Sequence, residues 1–356
     1  MELLRFFRVD LVITVLAVVA AFVYDPTAGT VAIVLLLIVL EISISFDNAI
    51  VNATVVRNLS EFWQKLFLTV GVLIAVFGMR LVFPIAIVAI TAGLGAGEVI
   101  DLAFNDPDEY GEKLEDASLS IEAFGGAFLL MVFLSYFMDD EKEIHWFGPV
   151  ERGLARLGGV NGLAIGIGLV LLLLTQAFVD ESQDKLDILL AGAIGLATYV
   201  VISGIADLLE ASTQGATEEG SSGVGGAVVG LTGKAAFASF MYLEVLDASF
   251  SFDGVIGAFA ITKEVVLIAI GLGVGALYVR SLTVYLVRKG TLSDYRFLEH
   301  GAHYAIGALA AILLMSAHFH IPEVITGLLG VAFIGAGLLS SIKWNKEHGG
   351  AEEVTA

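Results

Sequence analysis

Runs of about 20 apolar residues recur from one end of the chain to the other, and they constrain its fold more than any other feature. Hydrocarbon offers the backbone no hydrogen-bond partners, so such runs cross a membrane as helices. Hydrophobic residues make up 57% of the chain and the mean hydropathy is +0.89, far above an ordinary soluble domain. We therefore predict an all-α polytopic membrane protein with about ten transmembrane helices. The ten segments lie at 9–24, 30–56, 66–93, 121–138, 161–180, 187–209, 226–262, 264–287, 300–318 and 321–342.

Composition excludes several other classes of function. The chain has no cysteine, so it has neither a disulfide framework nor a thiolate metal site. Its net charge of −20 leaves no basic surface for phosphates, and we expect no nucleic-acid partner. No phosphate-binding loop, nucleophile elbow or metal-hydrolase histidine spacing is present, so we predict no enzyme and no permanent cofactor. The first run follows Arg5 and Arg8 and could be a signal peptide; we interpret it as a retained span.

The basic residues predict the orientation. With the amino terminus inside, twelve lysines and arginines fall in inner loops, whereas only Lys113, Lys185 and Lys263 fall in outer ones. Positive charge favours the cytoplasmic side. We therefore predict an even number of spans in the cell (cytoplasmic) membrane, with both termini cytoplasmic.

Two polar stretches interrupt the apolar pattern. The stretch from Glu98 to Glu122 holds nine acids, and we interpret it as an outer loop that either attracts cations or is simply solvated. Residues 210–226 are small and polar, which predicts a cytoplasmic linker. The predicted organisation is a first repeat within 1–209, the linker at 210–226, and the rest of the second repeat at 227–356. The sixth segment, from about residue 187, belongs to the second repeat.

Two acidic motifs lie inside apolar segments. The stretch LEISISFDNAIVN (residues 40–52) and the stretch LEVLDASFSFDG (residues 243–254) share the triplet SFD, each with an acid six residues before its aspartate. A charged residue at the bilayer centre costs about 2.5 to 3.5 kcal/mol, so such residues are functional by default. Both host segments exceed the length of one span, which predicts a break in each helix near the midplane.

The similarity between the halves extends to three consecutive helices. Five spans separate equivalent helices, and since five is odd the two copies must cross the membrane in opposite directions. That arrangement is an inverted-topology repeat, which many secondary transporters use. The further matches are Gly71 with Gly271, Arg80 with Arg280, and Glu122 with Glu299.

Antiparallel packing of the two motifs would gather the acids into one midplane site. Several carboxylates in a low-dielectric place require protons or a metal to neutralise them. Oxygen ligands without thiolates favour Mg²⁺, Ca²⁺ or Mn²⁺. Arg80 and Arg280 would pair with spare carboxylates, and Glu122 and Glu299 would support the site. The alternative is that the polar residues only cap half-helices and form structural ion pairs. The predicted ligands are Glu41, Ser45, Asp47, Asn48, Glu244, Asp247, Ser251 and Asp253.

Histidines give weaker signals. His318 and His320 lie near the predicted outer surface, where they are either interfacial residues or a low-affinity cation site. His300 and His303, beside Glu299, carry no distinct pattern.

The paired motifs EISISFDN and EVLDASFSFDG, with the Gly-then-Arg helix, resemble the TerC family of integral membrane proteins over residues 31–342. The resemblance implies metal-ion transport, with Mn²⁺ efflux as the usual activity and Ca²⁺ as a neighbouring substrate. It supports six of the ligands, and departs where Gly254 replaces the family's serine. We expect an outward transporter of Mn²⁺, with proton coupling as an option. Rival interpretations are a metal-sensing membrane partner in a stress-resistance complex, and a carrier that uses the carboxylates for protons alone. The ligands that the resemblance supports are Glu41, Asp47, Asn48, Glu244, Asp247 and Asp253.

Overall fold

The structure is a computed structural model that describes residues 6–140, 142–160, 162–176, 182–218, 230–316, 321 and 323–348. A few side chains within its helices, that of Asp253 among them, lie outside the described part. Every regular element in the described ranges is a helix, and the one extended contact there is an isolated bridge between Leu59 and Leu231. The all-α prediction is confirmed for these residues.

Fifteen α-helices and one π-helix follow one another along the described chain. They are α1 (Arg8–Tyr24), α2 (Ala28–Ile44), α3 (Phe46–Val56), α4 (Glu61–Leu73), the π-helix (Ile74–Val82), α5 (Phe83–Thr91), α6 (Ala96–Asn105), α7 (Pro107–Phe137), α8 (Gly148–Gly158), α9 (Leu163–Gln176), α10 (Ser182–Glu218), α11 (Gly233–Ile261), α12 (Val265–Arg288), α13 (Thr291–Asp294), α14 (Leu298–Met315) and α15 (Glu323–His348).

Six stretches of helix are long and apolar enough to cross a membrane, and two bent helix pairs raise the number to eight. The chain is therefore a multi-pass membrane protein. Each of the ten predicted apolar segments contains a helix, including α1 and α11, which are not among the eight. The six stretches are Glu61–Thr91, Pro107–Phe137, Asp184–Ile205, Val265–Arg288, Leu298–Met315 and Ile325–His348.

The predicted break in the first acidic motif is present, and the one in the second is not. Helices α2 and α3 meet at Ser45 with a bend of 53°. The bend is a kink, not an unwound turn, because the amides of Ser45 and Ala49 keep their helical hydrogen bonds at 3.0 and 3.2 Å. Helix α11 is continuous, and Gly254 has no positive φ. Instead of a break, Gly254 provides space: a Cβ there would lie 2.8 Å from Oε2 of Glu41.

The prediction that residues from Glu98 to Glu122 form a loop was wrong, because this acidic stretch forms α6 and the first half of α7. Asp106 caps α7 by accepting a hydrogen bond from the amide of Glu109 at 3.2 Å, and Pro107 occupies the first helical position. Apolar residues at helical spacing then give the stretch one buried face. These buried residues are Tyr110, Leu114, Ala117 and Ile121.

The predicted linker at 210–226 falls largely outside the described residues. Its first part continues α10 to Glu218, and 219–229 are not described. His318 and His320 also lie outside the described part of the chain.

Two apolar clusters lie on opposite sides of the acidic motifs. The Val56 cluster follows the first motif along α3 and precedes the second along α11; it contains Val56, Leu59, Phe67, Ala236, Phe240, Leu243 and Val284. The Leu37 cluster precedes the first motif and follows the second. It includes Leu37, Val88, Tyr110, Leu114, Val255, Phe259 and Leu272. Buried polar groups between the clusters are therefore shielded from both ends of the bundle.

Candidate functional site

Polar side chains of both motifs meet where the kink between α2 and α3 packs against α11 and α12, and Arg80 reaches the same point from the π-helix. The kink residue Ser45 donates its hydroxyl to Oε1 of Glu41 at 3.1 Å. We name the group around this point the kink cluster. It consists of Glu41, Asn48, Arg80, Glu244, Asp247 and Arg280, all buried.

Two arginines link the carboxylates of the kink cluster. Arg80 pairs with Glu41, and its other terminal nitrogen lies 4.0 Å from Oδ2 of Asp247. Arg280 donates to both oxygens of Glu244, at 2.9 and 3.1 Å, and to Asp247 at 3.0 Å. These side chains are at most 6% exposed. A buried charge is costly unless it is paired, and each of these carboxylates has a guanidinium group beside it.

The two halves of the chain are also joined by an amide. Nδ2 of Asn48 donates to Oδ1 of Asp247 at 2.7 Å, across 199 positions of sequence. The neighbouring Asp47 is buried and accepts the backbone amide of Asn48 at 2.9 Å. No basic side chain within the described ranges lies within 4.0 Å of Asp47. Asp47 is thus the acid of the first motif that lacks a counter-ion there.

Several buried oxygens of the site have no hydrogen-bond partner within the described part of the chain. A buried polar atom without a partner costs about 1 to 3 kcal/mol, so it needs an explanation. Glu41 and Asn48 each use one side-chain atom and leave the other unpartnered. Such atoms are available to an ion or to water. The unpartnered oxygens are Oε2 of Glu41, Oδ1 of Asn48 and Oγ of Ser251.

Glycines allow the helices to approach the charged groups closely. A Cβ at Gly71 would lie 3.0 Å from Oε1 of Glu244, and one at Gly275 would lie 2.6 Å from Cγ of Glu41. A glycine of each half thus packs against an acid of the other half. Close approach of this kind is what small residues provide between membrane helices.

Arg80 reaches the site from a π-helix that its sequence did not reveal. Its Nη1 donates to the carbonyl of Ala75, five residues earlier, at 2.8 Å. π-Helical turns are rare and concentrate at functional sites. The only signal in the sequence was a charged residue within an apolar run.

The structure brings together most, not all, of the predicted site residues. Glu41 and Ser45 form one hydrogen-bonded group, Asn48, Glu244 and Asp247 form another, and the ion pair of Arg80 with Asp247 joins the two. Asp47 and Ser251 are buried on the same helices. The side chain of Asp253 lies outside the described residues. Glu299 pairs instead with Arg57, at 3.6 Å, and Glu122 is half-buried on α7.

In the described ranges no three Asp, Glu or His side chains are grouped as a metal ion would require. The physical reason is that the guanidinium groups of Arg80 and Arg280 lie between the carboxylates.

Asp10 is a buried acid that the sequence analysis missed. It lies in α1, and its Oδ1 accepts the hydroxyl of Ser281 at 2.9 Å, one residue after Arg280. One turn later Thr14 shares a hydrogen bond of 3.0 Å with Tyr278. An acid at the start of an apolar run, beside Arg8, was the available signal.

A second polar group, which we name the Glu151 cluster, was also missed. Glu151 is buried and accepts the amides of Trp146 and Phe147, at 2.9 and 3.0 Å, and the hydroxyl of Tyr304 at 3.1 Å. His300 lies 3.5 Å from Glu151 and shares a hydrogen bond of 2.9 Å with the carbonyl of Ile144. The remaining members are Tyr136 and Lys142.

Lys142 lies in the connection between α7 and α8. Its Nζ lies 3.2 Å from the centre of the Tyr136 ring and has no hydrogen-bond partner within the described part. Burial lowers the pKa of Lys142 to about 8.

Comparison with known proteins identifies a family. No curated protein and no solved structure matches the chain. A family model described as "Protein of unknown function (DUF475)" matches residues 46–348, which include the kink cluster apart from Glu41. The chain therefore belongs to the DUF475 family.

Proposed function

We propose that the protein is a divalent cation transporter whose site is the kink cluster together with Asp47. One observation carries this proposal: the two motifs hold buried oxygens without hydrogen-bond partners in the described structure, and the buried Asp47 of the first motif has no counter-ion there. Oxygen atoms of carboxylates, amides and hydroxyls are the ligands that hard divalent cations prefer.

The charge of the site also fits a divalent cation. Among the described side chains, the two motifs hold four buried acids beside two arginines, which leaves a formal charge of −2 when all are ionised. Uncompensated charge in a low-dielectric place is costly, so one divalent cation would relieve it. The four acids are Glu41, Asp47, Glu244 and Asp247.

We propose Mn²⁺ as the substrate and outward as the direction. This choice comes from the resemblance to the TerC family, for which Mn²⁺ efflux is usual and Ca²⁺ is the neighbouring possibility. Protons released or taken up by carboxylates would provide coupling as the cation binds and leaves.

The contacts of the cluster support two inverted repeats. Arg80 pairs with Glu41 in the first half, and Arg280 pairs with Asp247, the matching acid, in the second. On this basis we propose ten spans, with α1 and α11 added to the eight. The Val56 and Leu37 clusters would open in turn as the repeats move against each other.

Contacts between described residues also support the predicted orientation. Arg57 pairs with Glu299, and Lys142 packs near it against Tyr136, so residues assigned to the cytoplasmic side lie at one end of the bundle. Lys263 lies beyond α11 at the other end, near Gly111. We place both termini in the cytoplasm and the protein in the cell membrane.

The arginine pairs favour a second candidate. The acids Glu41, Glu244 and Asp247 already have basic partners. A carrier that uses its carboxylates only for protons would have this arrangement without needing a metal.

Flux into proteoliposomes tests the proposal. Purified protein should carry Mn²⁺ down a gradient, and Asp47→Asn should abolish the flux because it removes the unpaired charge. Glu151→Gln, outside the site, is the matched control and should retain it. Wild-type vesicles that move protons but no Mn²⁺ would favour the second candidate.

A further inference from the structure

Asn52 is the least satisfied polar side chain of the bundle's described interior. It is 1% exposed, and neither its Oδ1 nor its Nδ2 has a partner there. A buried amide that serves packing is normally hydrogen-bonded, since each unsatisfied atom costs about 1 to 3 kcal/mol. Leucine has nearly the same volume and would avoid that cost. Packing therefore does not explain an asparagine at this position.

The helix places Asn52 next to the proposed cation site. Residues four apart lie on one face of an α-helix, so Asn48, Asn52 and Val56 follow one another along one face of α3. Asn48 contacts Asp247, and Val56 belongs to the apolar cluster that closes this end. Asn52 thus lies between the acids and the apolar cluster.

Contacts of the facing helix α11 also place Asn52 between the acids and the Val56 cluster. Helix α11 runs antiparallel to α3 here, because Asp247 contacts Asn48 whereas Phe240 and Leu243 belong to the cluster of Val56. Asn52 is therefore one turn beyond the acids, toward Arg57.

On the opposite side of the site, the described neighbours of the two motifs are apolar. One turn before Glu41 lies Leu37, and one turn after Ser251 lies Val255, both in the Leu37 cluster. Along these helix faces, the described polar residues continue toward the end that we propose to be cytoplasmic.

We propose that Asn52 is a second binding position, which takes the hydrated divalent cation between the kink cluster and the Val56 cluster. A neutral amide binds the water shell of a cation through Oδ1 without the strong attraction of a carboxylate. Weak binding at successive positions lets an ion enter and leave a deep site. This inference rests on the proposed function. It adds a second binding position for the cation on the proposed cytoplasmic side of the site.

The test compares Asn52→Leu with wild type and with Thr54→Val. Thr54 is a matched control on the same helix, since its hydroxyl bonds only to the carbonyl of Val51, at 2.7 Å. Three quantities are measured on the full chain: the Tm without metal, the Mn²⁺ concentration at half-maximal Tm shift, and Mn²⁺ flux in proteoliposomes.

For Asn52→Leu we expect a Tm equal to or above that of wild type, because an unsatisfied amide is removed. The Mn²⁺ midpoint should stay within about twofold, since the acids are intact, whereas flux should fall about tenfold or more. Thr54→Val should change none of the three.

Two results on an active wild type would overturn the inference alone. Unchanged flux in Asn52→Leu would show that the cation does not use this position. A clear fall in Tm would show that Asn52 is structural. If wild type itself showed neither a Mn²⁺-dependent Tm shift nor flux, the proposed function would fail and this inference with it.

Discussion

The kink cluster and the Glu151 cluster are both buried groups of acids, hydrogen-bond donors and cationic or imidazole side chains, yet their hydrogen bonds differ. In the Glu151 cluster both carboxylate oxygens accept from backbone amides, and one also accepts the hydroxyl of Tyr304. In the kink cluster Glu41 and Asn48 each leave an oxygen without a partner in the described chain. The sequence signals also differ: the acids of the kink cluster lie in a repeated motif, whereas Glu151 lies in α8, where the sequence shows no motif.

Saturation of hydrogen bonds separates a structural role from a binding role. A satisfied carboxylate holds its surroundings in place and has no atom left for a ligand. An unsatisfied one costs stability, and proteins retain such groups at functional sites. We therefore assign the Glu151 cluster to fixing the connection between α7 and α8, and the kink cluster to binding. The variants below test this division in order of decreasing effect.

Removing Arg280 should have the largest effect on stability. Arg280→Met leaves Glu244 and Asp247 buried with less compensation, and breaking a buried pair in this way costs about 3 to 5 kcal/mol. Arg57→Met is the matched control, because its pair with Glu299 is partly exposed, and such pairs contribute about 1 kcal/mol or less. Thermal unfolding in detergent measures both. Equal losses of stability in the two variants would contradict the burial of the kink cluster.

Removing Glu151 should destabilise the protein without affecting metal binding. Glu151→Ala leaves two backbone amides and the hydroxyl of Tyr304 without their acceptor, at a cost of about 2 to 4 kcal/mol. Glu143→Ala, on an exposed residue of the same connection, should be neutral. Tm is measured with and without Mn²⁺. If the Tm of Glu151→Ala no longer rose with Mn²⁺, the assignment of separate roles to the two clusters would be contradicted.

A methyl group at Gly275 should disturb the kink cluster by steric contact. Its Cβ would lie 2.6 Å from Cγ of Glu41, and overpacking of this kind costs about 1 to 3 kcal/mol. Gly166→Ala, where a Cβ meets nothing within 4 Å, should be neutral or slightly stabilising. The Tm of each variant is measured. An unchanged Tm for Gly275→Ala would contradict the close packing of α12 on α2.

The smallest effect concerns pH and the Glu151 cluster. Because the folded pKa of Lys142 is lowered to about 8 from its ordinary value of 10.5, the unfolded chain binds more protons between these values. Protonated Lys142 therefore destabilises the fold fully below pH 8, and the destabilisation is relieved as pH rises toward 10.5.

Lys142→Met should remove this dependence. At pH 7 we expect a gain of about 1 kcal/mol, reduced from the full shift because the side chain is partly exposed. The difference in Tm from wild type should shrink by pH 9.5. A difference that stays constant from pH 7 to 9.5 would contradict the lowered pKa.

The sequence predicted the helical class, the membrane and the residues of the kink cluster, because each follows from local pattern. The kink at Ser45 was predictable from a segment too long for one span, but the same reasoning wrongly predicted a break near Gly254. There the glycine provides space for Glu41, and nothing in the sequence of α11 indicates which helix lies opposite.

Other features depended on contacts between distant residues. The arginines were expected to pair with acids, but not to lie between them, since that depends on the depth at which α12 and the π-helix pack. The Glu151 cluster joins residues about 150 positions apart, and Asp10 bonds across 271 positions. The acidic stretch before Glu122 was misjudged because its charges concealed the apolar face of α7.

The measurement that tests the central claim most directly is metal-dependent thermal stabilisation of the purified protein. Wild type is compared with Asp47→Ala plus Asp253→Ala in titrations of Mn²⁺, Ca²⁺, Mg²⁺ and Zn²⁺ at fixed pH. A ligand that binds only the folded state stabilises it by about 2.7 kcal/mol at 100 times its Kd. We predict a saturable rise in Tm with Mn²⁺, or with Ca²⁺ as the alternative, that the double variant lacks. No response to any metal in folded wild type, or an equal response in the double variant, would contradict a cation site formed by the two acidic motifs.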